Sequence, residues 1–390
     1  MDDQRVMVIG AGPAGLAAAV ALGRRGIPVT VLERDDAVAS SWRGRYDRLR
    51  LNSSRPFSKL PRAGFPRGTP MFPSRDEVVA YLEGYAGRNQ IEVRLGTRLE
   101  RIDRNGEGWV LRTSAGDVPA GQVIVAAGHE HTGFVPDWPG RDRFRKRLIH
   151  SGEYRNPAAF GGADVLVVGP GSSGMEIAYD LAEGGAGRVR LAVRTPPNII
   201  IRSPIGPLIA RIVRRLPPER ADALARRVRA KEIGDLTEYG LPVPEEGLFS
   251  RLRRLGVAPA IVDQEVIQAI RDRRIEIVAG VESLDETGVT LSDSTRIEPD
   301  AVVAATGYRT GLEPLVGHLG LLDERGVPHS PQGEEAAPGL RFIGYRVMPA
   351  LLGHLGREAR LAATQIAAAQ NGTARRRGLW LRERAQPART

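Results

Sequence analysis

A glycine-rich turn near the start of the chain has the residue types and spacing that bind phosphate. In "VMVIGAGPAGLAAAVAL" a short apolar run leads into Gly10, Gly12 and Gly15, and an alanine-rich segment follows. Gly10 permits a tight turn, Gly12 lets the backbone approach a pyrophosphate, and Gly15 lets helix and strand pack closely. Pro13 and Ala14 begin the helix, whose free N–H groups face the phosphates. The motif therefore predicts a dinucleotide site.

An acidic residue at the end of the next apolar run completes this first site. The stretch "IPVTVLERD" places Glu33 at the end of a predicted strand, with Arg34 beside it. A carboxylate roughly 20 residues beyond the glycines accepts hydrogen bonds from ribose hydroxyl groups. We therefore assign Glu33 and Arg34 to the same site as the glycine turn.

A second turn of the same design lies near the middle of the chain. Its glycines and serines, in "DVLVVGPGSSGMEIAYDLA", are Gly169, Gly171, Ser172, Ser173 and Gly174. The strand that follows, "RVRLAVR", ends at Arg194 and not at an acid. An acid at this place binds the 2'-hydroxyl group of NAD, whereas an arginine suits the extra phosphate of NADP. The alternative is that Arg194 is one more surface arginine.

Two nucleotide sites in one chain favour a redox function. Such a chain most simply binds FAD at the site with the acid and NADPH at the site with the arginine, so that hydride passes from nicotinamide to flavin. Two later stretches, "GQVIVAAGHEH" and "DAVVAATGYRTG", each predict a strand running into a small-residue turn where the chain crosses between the two units. We assign Gly128, Thr306 and Gly307 in these turns to the cofactor sites.

The elements that must position these residues are two βαβ units. The predicted fold class is α/β, with two Rossmann-like dinucleotide-binding domains and the NADPH-binding domain inserted into the FAD-binding domain. We predict a discontinuous FAD-binding domain over residues 1–154 and 305–390. The NADPH-binding domain is predicted over 155–304, with a helical insertion around 196–245.

A basic amphipathic helix is predicted within this insertion, over residues 205–216. Its apolar residues fall at helical spacing among arginines, at Leu208, Ile209, Ile212, Val213 and Leu216. One interpretation is a helix packed over the active-site cleft. The other is a weak contact with a membrane surface or a docking element for a lipophilic substrate.

Composition argues against several other classes of protein. The chain has no cysteine, which removes disulfides, thiolate zinc sites, iron–sulfur ligation and redox-active dithiols. The net charge of +10 comes from arginines spread along the chain without a nucleic-acid-binding signature, so no nucleic acid partner is expected. Neither a secretory signal nor a membrane-spanning helix is apparent, and the expected location is the cytoplasm. No metal-binding motif appears among the six histidines.

The motifs together resemble the flavin-containing monooxygenases, and among them the bacterial relatives of the plant auxin-forming flavin monooxygenases. The resemblance covers nearly the whole chain and includes "GAGPAGLA", "ERDDAVASSWRGRYDRLRLNSS", "FPSRDEVVAYLEGYA", "GDLTEYGLPVP" and "ATGY". The stretch "FRKRLIHSGEY" is similar to the family's identifying pattern at Phe144, His150 and Tyr154, but has Lys146 where the family has glycine. In the family this pattern connects the domains, so we interpret His150 and Tyr154 as structural.

The resemblance also implies contacts to the flavin. Asn52, in "YDRLRLNSSRPF", aligns with an asparagine that lies against the flavin and helps to hold the oxygenated flavin and the nicotinamide. An amide suits this place because it offers donors and an acceptor without charge, although asparagine is also common in turns. Trp42 and Leu99 are implied to lie near the cofactor. Leu351 and Leu352 begin a helix whose N–H groups would face the flavin pyrimidine.

The reaction that the resemblance implies is an oxygenation. In the family NADPH reduces FAD, the reduced flavin forms a C4a-hydroperoxide with O2, and one oxygen atom passes to a small-molecule substrate. The substrate is left open between a soft nitrogen or sulfur nucleophile and a keto acid. Alternatives are a Baeyer-Villiger monooxygenase acting on ketones, an NADPH oxidase and a redox-sensing flavoprotein. A homodimer is also left open.

Overall fold

Two short apolar runs form the central strands of two parallel sheets. The computed structural model describes residues 5–346 and 351–384. In it, Val6–Ile9 and Asp164–Val168 are strands with almost wholly buried residues. Burial on both faces is expected for a parallel strand that is covered by helices. Each strand ends in a glycine turn that leads directly into a helix, so the two predicted βαβ units are present.

The remaining elements alternate between short strands and helices along the chain. The strands are β1 Val6–Ile9, β2 Val29–Leu32, β3 Val93–Arg94, β4 Leu99–Asn105, β5 Gly108–Thr113, β6 Gly116–Ala120, β7 Gln122–Val125, β8 Thr132–Gly133, β9 Arg147–His150, β10 Asp164–Val168, β11 Arg188–Val193, β12 Ile199–Ile201, β13 Ala260–Val262, β14 Glu276–Ala279, β15 Val281–Leu284, β16 Val289–Leu291, β17 Arg296–Ile297, β18 Ala301–Ala304, β19 Tyr308–Arg309, β20 Gln332–Ala337 and β21 Leu340–Ile343. The α-helices are α1 Pro13–Gly23, α2 Ser40–Arg43, α3 Arg75–Arg88, α4 Ser172–Glu183, α5 Gly206–Val213, α6 Pro218–Glu232, α7 Leu248–Leu255, α8 Gln264–Arg271, α9 Glu313–Val316 and α10 Leu351–Arg384.

The first sheet surrounds the first glycine turn. Its strand order is β20-β21-β7-β1-β2-β3, and β1 pairs in parallel with both β2 and β7. Helices α1, α3 and α10 bury their apolar faces together beside this sheet. On its other face, the antiparallel sheet β4-β5-β6 contributes the buried Trp109 to a second core. The first turn is thereby held between two packed layers.

The second sheet surrounds the second glycine turn. Its strand order is β14-β11-β10-β18-β9, and every neighbouring pair is parallel. Strand β9 belongs to this sheet because Arg147–His150 pairs with Ala301–Ala304 of β18. The chain has therefore entered the second sheet before Arg147. Strand β9 thus lies within the range 1–154 that was predicted for the FAD-binding domain, but pairs with a strand of the second sheet.

The two crossings between the sheets are tied together by His150. Its Nε2–H donates to the carbonyl oxygen of Gly307 at 2.9 Å, and its Nδ1 accepts from the Gly152 N–H at 3.0 Å. The short strands β8 and β19 also pair beside it. Tyr154 donates its hydroxyl proton to Asp180 at 2.8 Å. These contacts place His150 and Tyr154 in the packing beside the crossings, and the structural role inferred for them from the sequence stays a prediction.

The insertion in the second unit begins with a strand. Ile199–Ile201 pairs in parallel with Ala260–Val262, so the insertion that was predicted to be helical around 196–245 opens with a strand. Three consecutive β-branched residues favour this conformation. Helices α5 and α6 follow, and α5 ends at Val213, three residues earlier than predicted. Of its apolar residues Val213 is buried, whereas Leu208, Ile209 and Ile212 are exposed. No helix in the described ranges combines the length and the apolar character of a membrane span.

Two of the three methionines in the described residues are enclosed. The chain has no cysteine. Among the methionines in the described residues, Met7 and Met175 are buried in the cores of the two units, and Met71 is 43% exposed.

The third glycine of each turn is required by a close approach between the helix and the turn. A Cβ atom on Gly15 would overlap the carbonyl oxygen of Gly10, and one on Gly174 would overlap that of Gly169. Gly10 and Gly169 have φ of 101° and 110°, a region that glycine alone adopts readily. The backbone at these turns is therefore fixed by contacts that exclude any side chain.

This packing predicts different effects for two glycines of the same helix. We expect Gly15→Ala to lower the free energy of unfolding by about 1–3 kcal/mol or more, because the added methyl group meets backbone atoms. Gly23→Ala is the control, since nothing lies within 4 Å of its added Cβ. The control is expected to be neutral or to stabilise the helix by up to about 1 kcal/mol. Urea unfolding of the FAD-free proteins measures both, and equal stabilities would contradict the packing argument.

Candidate active site

A cavity of about 1130 Å³ is lined by residues of both βαβ units. One wall comes from the first glycine turn and the loop over residues 40–53. The facing wall comes from the start of α4, from β12 and the start of α5, and from α7. The start of α10 also lines the cavity. The carboxyl ends of the parallel strands therefore open into a single space, as is usual for ligand sites in α/β folds.

Most of the residues predicted from the sequence line this cavity. They are Gly10, Gly12, Pro13, Ala14, Glu33, Arg34, Trp42, Asn52, Leu99, Gly128, Ser172, Ser173, Leu351 and Leu352.

Seven of the predicted residues do not line this cavity. They are Gly15, Gly169, Gly171, Gly174, Arg194, Thr306 and Gly307. Gly15 and Gly174 instead pack against the carbonyl oxygens of Gly10 and Gly169, as described above. Thr306 and Gly307 bond to the crossing segments, because the Thr306 hydroxyl donates to the Phe134 carbonyl and the Gly307 carbonyl accepts from His150.

The first turn fits a dinucleotide. A Cβ on Gly12 would meet nothing within 4 Å, so the backbone there is open to a pyrophosphate. Glu33 is buried, and its carboxylate accepts from the Ala11 N–H at 2.7 Å and from the Asp35 N–H at 3.2 Å. These bonds hold the carboxylate at the end of β2, beside the turn, where a ribose would lie.

The second turn repeats this geometry at a more exposed place. Gly171 is equally open, and α4 begins directly after it at Ser172. The Ser172 Oγ accepts from the Ile261 N–H at 2.8 Å, which joins α4 to β13. Arg194 follows the end of β11 and is exposed, with no hydrogen bond or ion pair to any described residue. Its guanidinium group is therefore available to a phosphate.

Asn52 lies where the first unit meets the second. It lines the cavity, and its Oδ1 accepts a hydrogen bond from Nη2 of Arg202 at 3.3 Å. Arg202 directly follows β12, and its side chain is 2% exposed. It forms ion pairs with Glu176 of α4 and with Asp263, which directly follows β13. The predicted cavity residue thus contacts a buried charged cluster.

Tyr46 completes this cluster from the side of the first unit. Its hydroxyl donates to Glu176 Oε2 at 2.8 Å. Burial raises the pKa of Tyr46 well above its usual value, and the Glu176 carboxylate raises it further. Burial also raises the pKa of Glu176, although the charge of Arg202 opposes that rise. Tyr46 therefore remains protonated and acts as a donor.

Sequence reasoning did not find Tyr46, Glu176, Arg202 and Asp263. A weak signal was present, because Glu176 interrupts an apolar helix face and Arg202 follows three isoleucines. A charge in such a place needs a partner. The identity of the partner depends on contacts between residues as far apart as 130 positions, which no local pattern reveals.

One group of residues that lines the cavity is apolar. Side chains from β12 and α7 form this group, at Ile200, Ile201, Leu248, Phe249 and Leu252. They form a continuous cavity with the glycine turn of the first unit. This space suits an apolar group held beside a nucleotide.

Comparison with known proteins agrees with this geometry. Residues 7–235 match the family model described as pyridine nucleotide-disulphide oxidoreductase. The indole-3-pyruvate monooxygenase YUCCA1 of Oryza sativa subsp. japonica is 34% identical, over 87% of this chain and 86% of that protein. The probable indole-3-pyruvate monooxygenase YUCCA10 of Arabidopsis thaliana is 33% identical, over 84% and 87%. Since this chain lacks cysteine, it shares the fold of the matched family model without a dithiol.

Solved structures with a similar fold include monooxygenases. A flavin-containing monooxygenase from Stenotrophomonas maltophilia is 25% identical, with a TM-score of 0.71 over 95% of this chain and 99% of that one. A cyclohexanone monooxygenase is 17% identical, with a TM-score of 0.71 over 94% and 88%, and shares the fold. With two nucleotide turns of matching geometry and relatives of this identity and coverage, the chain belongs to the flavin-containing monooxygenase family and is an oxidoreductase that uses FAD and NADPH.

Proposed function

We propose that the chain uses NADPH and O2 to oxygenate a small 2-oxo acid with an apolar body. The observation that carries this proposal is the apolar wall of β12 and α7, which continues from the nucleotide turn into one cavity. The relatives described above are named for action on indole-3-pyruvate, a 2-oxo acid with an aromatic body. Bound FAD would supply the redox chemistry, accepting hydride from NADPH and activating O2.

The roles proposed for the first site follow from the cavity lining. Gly12 and the N–H groups at the start of α1 hold the FAD pyrophosphate, and the oriented carboxylate of Glu33 binds the ribose. The start of α10, at Leu351 and Leu352, directs N–H groups toward the flavin. Trp42 and Leu99 exclude water from this end of the cavity, which protects a reactive flavin from hydrolysis.

For the second site, Gly171 and the start of α4 hold the NADPH pyrophosphate, and Arg194 binds the 2'-phosphate. The proposed FAD unit comprises the chain before β9 and after β18, and the NADPH unit lies between them. A weak contact of α5 with a membrane surface is a further proposal, supported by exposed Leu208, Ile209 and Ile212 next to Arg211.

The substrate class is tested by isotope labelling. The protein is incubated with NADPH, ¹⁸O2 and, separately, indole-3-pyruvate, phenylpyruvate, a tertiary amine, a thioether and cyclohexanone. A 2-oxo acid is expected to lose CO2 and give the acid shorter by one carbon, with one ¹⁸O in the acid and the other in water. NADPH and one proton supply the electrons and hydrogen for that water.

Other products in this assay would overturn the proposal in distinct ways. An N-oxide, a sulfoxide or a lactone as the preferred product would identify another substrate class. Release of one hydrogen peroxide for each NADPH consumed, with every compound, would indicate an oxidase. Mass spectrometry of the organic products and a peroxide assay separate these outcomes.

Arg194 gives a test of nucleotide selectivity. Its hydrogen bonds to a phosphate contribute about 1.5–3 kcal/mol, so Arg194→Ala is expected to raise KM for NADPH roughly tenfold to hundredfold. KM for NADH should change little, because NADH lacks the 2'-phosphate. Arg188→Ala, at the opposite end of β11, is the control and should affect neither nucleotide. Equal losses for NADPH and NADH would show that Arg194 does not bind the phosphate.

Asn52 gives a test of the flavin contact. Asn52→Ala removes a neutral donor at the cavity wall and admits water, while leaving the nucleotide turns intact. Loss of one such bond costs roughly 1–3 kcal/mol, so peroxide released per NADPH is expected to rise about fivefold to hundredfold relative to oxygenated product. The rate of flavin reduction by NADPH should remain close to that of the wild type. Stopped-flow absorbance and a peroxide assay measure the two quantities.

The matched control for this change is Asn89→Ala. The Asn89 amide donates to the Tyr85 carbonyl at 2.8 Å at the end of α3 and does not line the cavity. Asn89→Ala should leave the amount of peroxide released per NADPH unchanged. Wild-type coupling in Asn52→Ala would make Asn52 an ordinary turn residue.

A further inference from the structure

The buried cluster of Tyr46, Glu176, Arg202 and Asp263 joins the two nucleotide units beside the cavity. The side chains of Arg202 and Glu176 are 2% and 6% exposed. Residues Arg202 and Asp263 follow the paired ends of β12 and β13, which explains why their side chains meet. Tyr46 belongs to the loop of the first unit and reaches Glu176 on α4. The cluster therefore spans the boundary between the two units.

Of the residues in this contact network, Asn52, Tyr46 and Glu176 line the cavity, and the Asn52 amide is the neutral group among them that Arg202 contacts. The guanidinium group of Arg202 has donors and no acceptor, so it can only bond the carbonyl oxygen of the Asn52 amide. The 3.3 Å contact between Nη2 and Oδ1 therefore selects one of the two amide orientations. In that orientation the Nδ2 group has no partner among the described residues. Both of its N–H groups remain available to the cavity.

The surrounding contacts hold both partners of this bond in place. The guanidinium group is fixed on one side by Glu176 and on the other by Asp263. The loop that carries Asn52 is fixed independently, because the Ser54 hydroxyl donates to the Pro204 carbonyl at 2.7 Å. Since each group is held separately, the bond between Arg202 and Asn52 decides the direction of the amide and not merely the position of the loop.

We infer that Arg202 is a positioning residue for the reaction. It holds the Asn52 amide with its carbonyl toward the buried guanidinium group and its N–H groups toward the flavin. Glu176 holds the guanidinium group directly, and Tyr46 acts through its bond to Glu176. This inference rests on the proposed contact between Asn52 and the flavin. Asp263 neutralises the charge from the far side.

The test is a double-mutant cycle between Arg202→Lys and Asn52→Ala. Lysine keeps the charge for Glu176, but it lacks the planar fork that serves three partners at once. The first readout is the dissociation constant of FAD from the FAD-free protein, measured by quenching of flavin fluorescence. The second is hydrogen peroxide released per NADPH.

Arg202→Lys is expected to raise both quantities about threefold to tenfold when Asn52 is present. With Asn52→Ala already in place, the same change should alter each of them less than about twofold, because the amide that Arg202 positions is gone. Equal effects in the two backgrounds would show that Arg202 only supports the fold and would overturn the inference. Unchanged readouts in Asn52→Ala alone would instead overturn the proposed role of Asn52, and this inference with it.

Two further variants separate positioning from general destabilisation. Arg190→Lys alters another buried arginine of the second unit, paired with Asp164 and absent from the cavity wall, and should leave both readouts unchanged. Tyr46→Phe removes the hydroxyl bond to Glu176 and keeps the ring. It is expected to shift both readouts in the same direction as Arg202→Lys and by a smaller factor, again only when Asn52 is present. If Arg202→Lys fails to fold, the same double-mutant cycle is run with Tyr46→Phe and Asn52→Ala. A change in the readouts on Tyr46→Phe that is the same with and without Asn52 would overturn the inference.

Discussion

The contact between each nucleotide helix and the turn before it sets the positions of the groups that face the nucleotides. In both units the third glycine of the turn touches the carbonyl oxygen of the first. The helix therefore starts directly after the strand, with its free N–H groups at the carboxyl end of the sheet. Glu33 reaches the first site only because β2 lies next to β1 at the register that this packing imposes.

A second constraint acts between the units. Burying the guanidinium group of Arg202 is favourable only while Glu176 and Asp263 remain beside it, since an unpaired buried charge is costly. Asn52 and Tyr46 approach the same cluster from the first unit. The loop over residues 46–54 therefore belongs to the first unit by its position in the sequence, but it also contacts residues of the second unit. Displacement of either unit would strain the same few bonds.

The sequence predicted what depends on neighbours along the chain. Both glycine turns and Glu33 were identified because their spacing is local. Other features were not identified, because they depend on which strand or helix packs alongside. They are the sheet to which β9 belongs, the strand at Ile199–Ile201 and the exposure of Ile212. The contact between Arg202 and Asn52 joins residues 150 positions apart, and no local pattern could predict it.

The distribution of sulfur has a consequence for the lifetime of the enzyme. Reduction of O2 without a substrate yields hydrogen peroxide, which oxidises thiolates and thioethers. Without cysteine the chain cannot lose a thiol to this oxidant, and Met7 and Met175 are shielded inside the two cores. Met71, whose carbonyl oxygen accepts from the Arg55 N–H close to the Asn52 loop, is the exposed thioether among the described residues. Hydrogen peroxide from uncoupled turnover would therefore oxidise Met71 to the sulfoxide before it oxidised the methionines in the cores that hold the nucleotide turns.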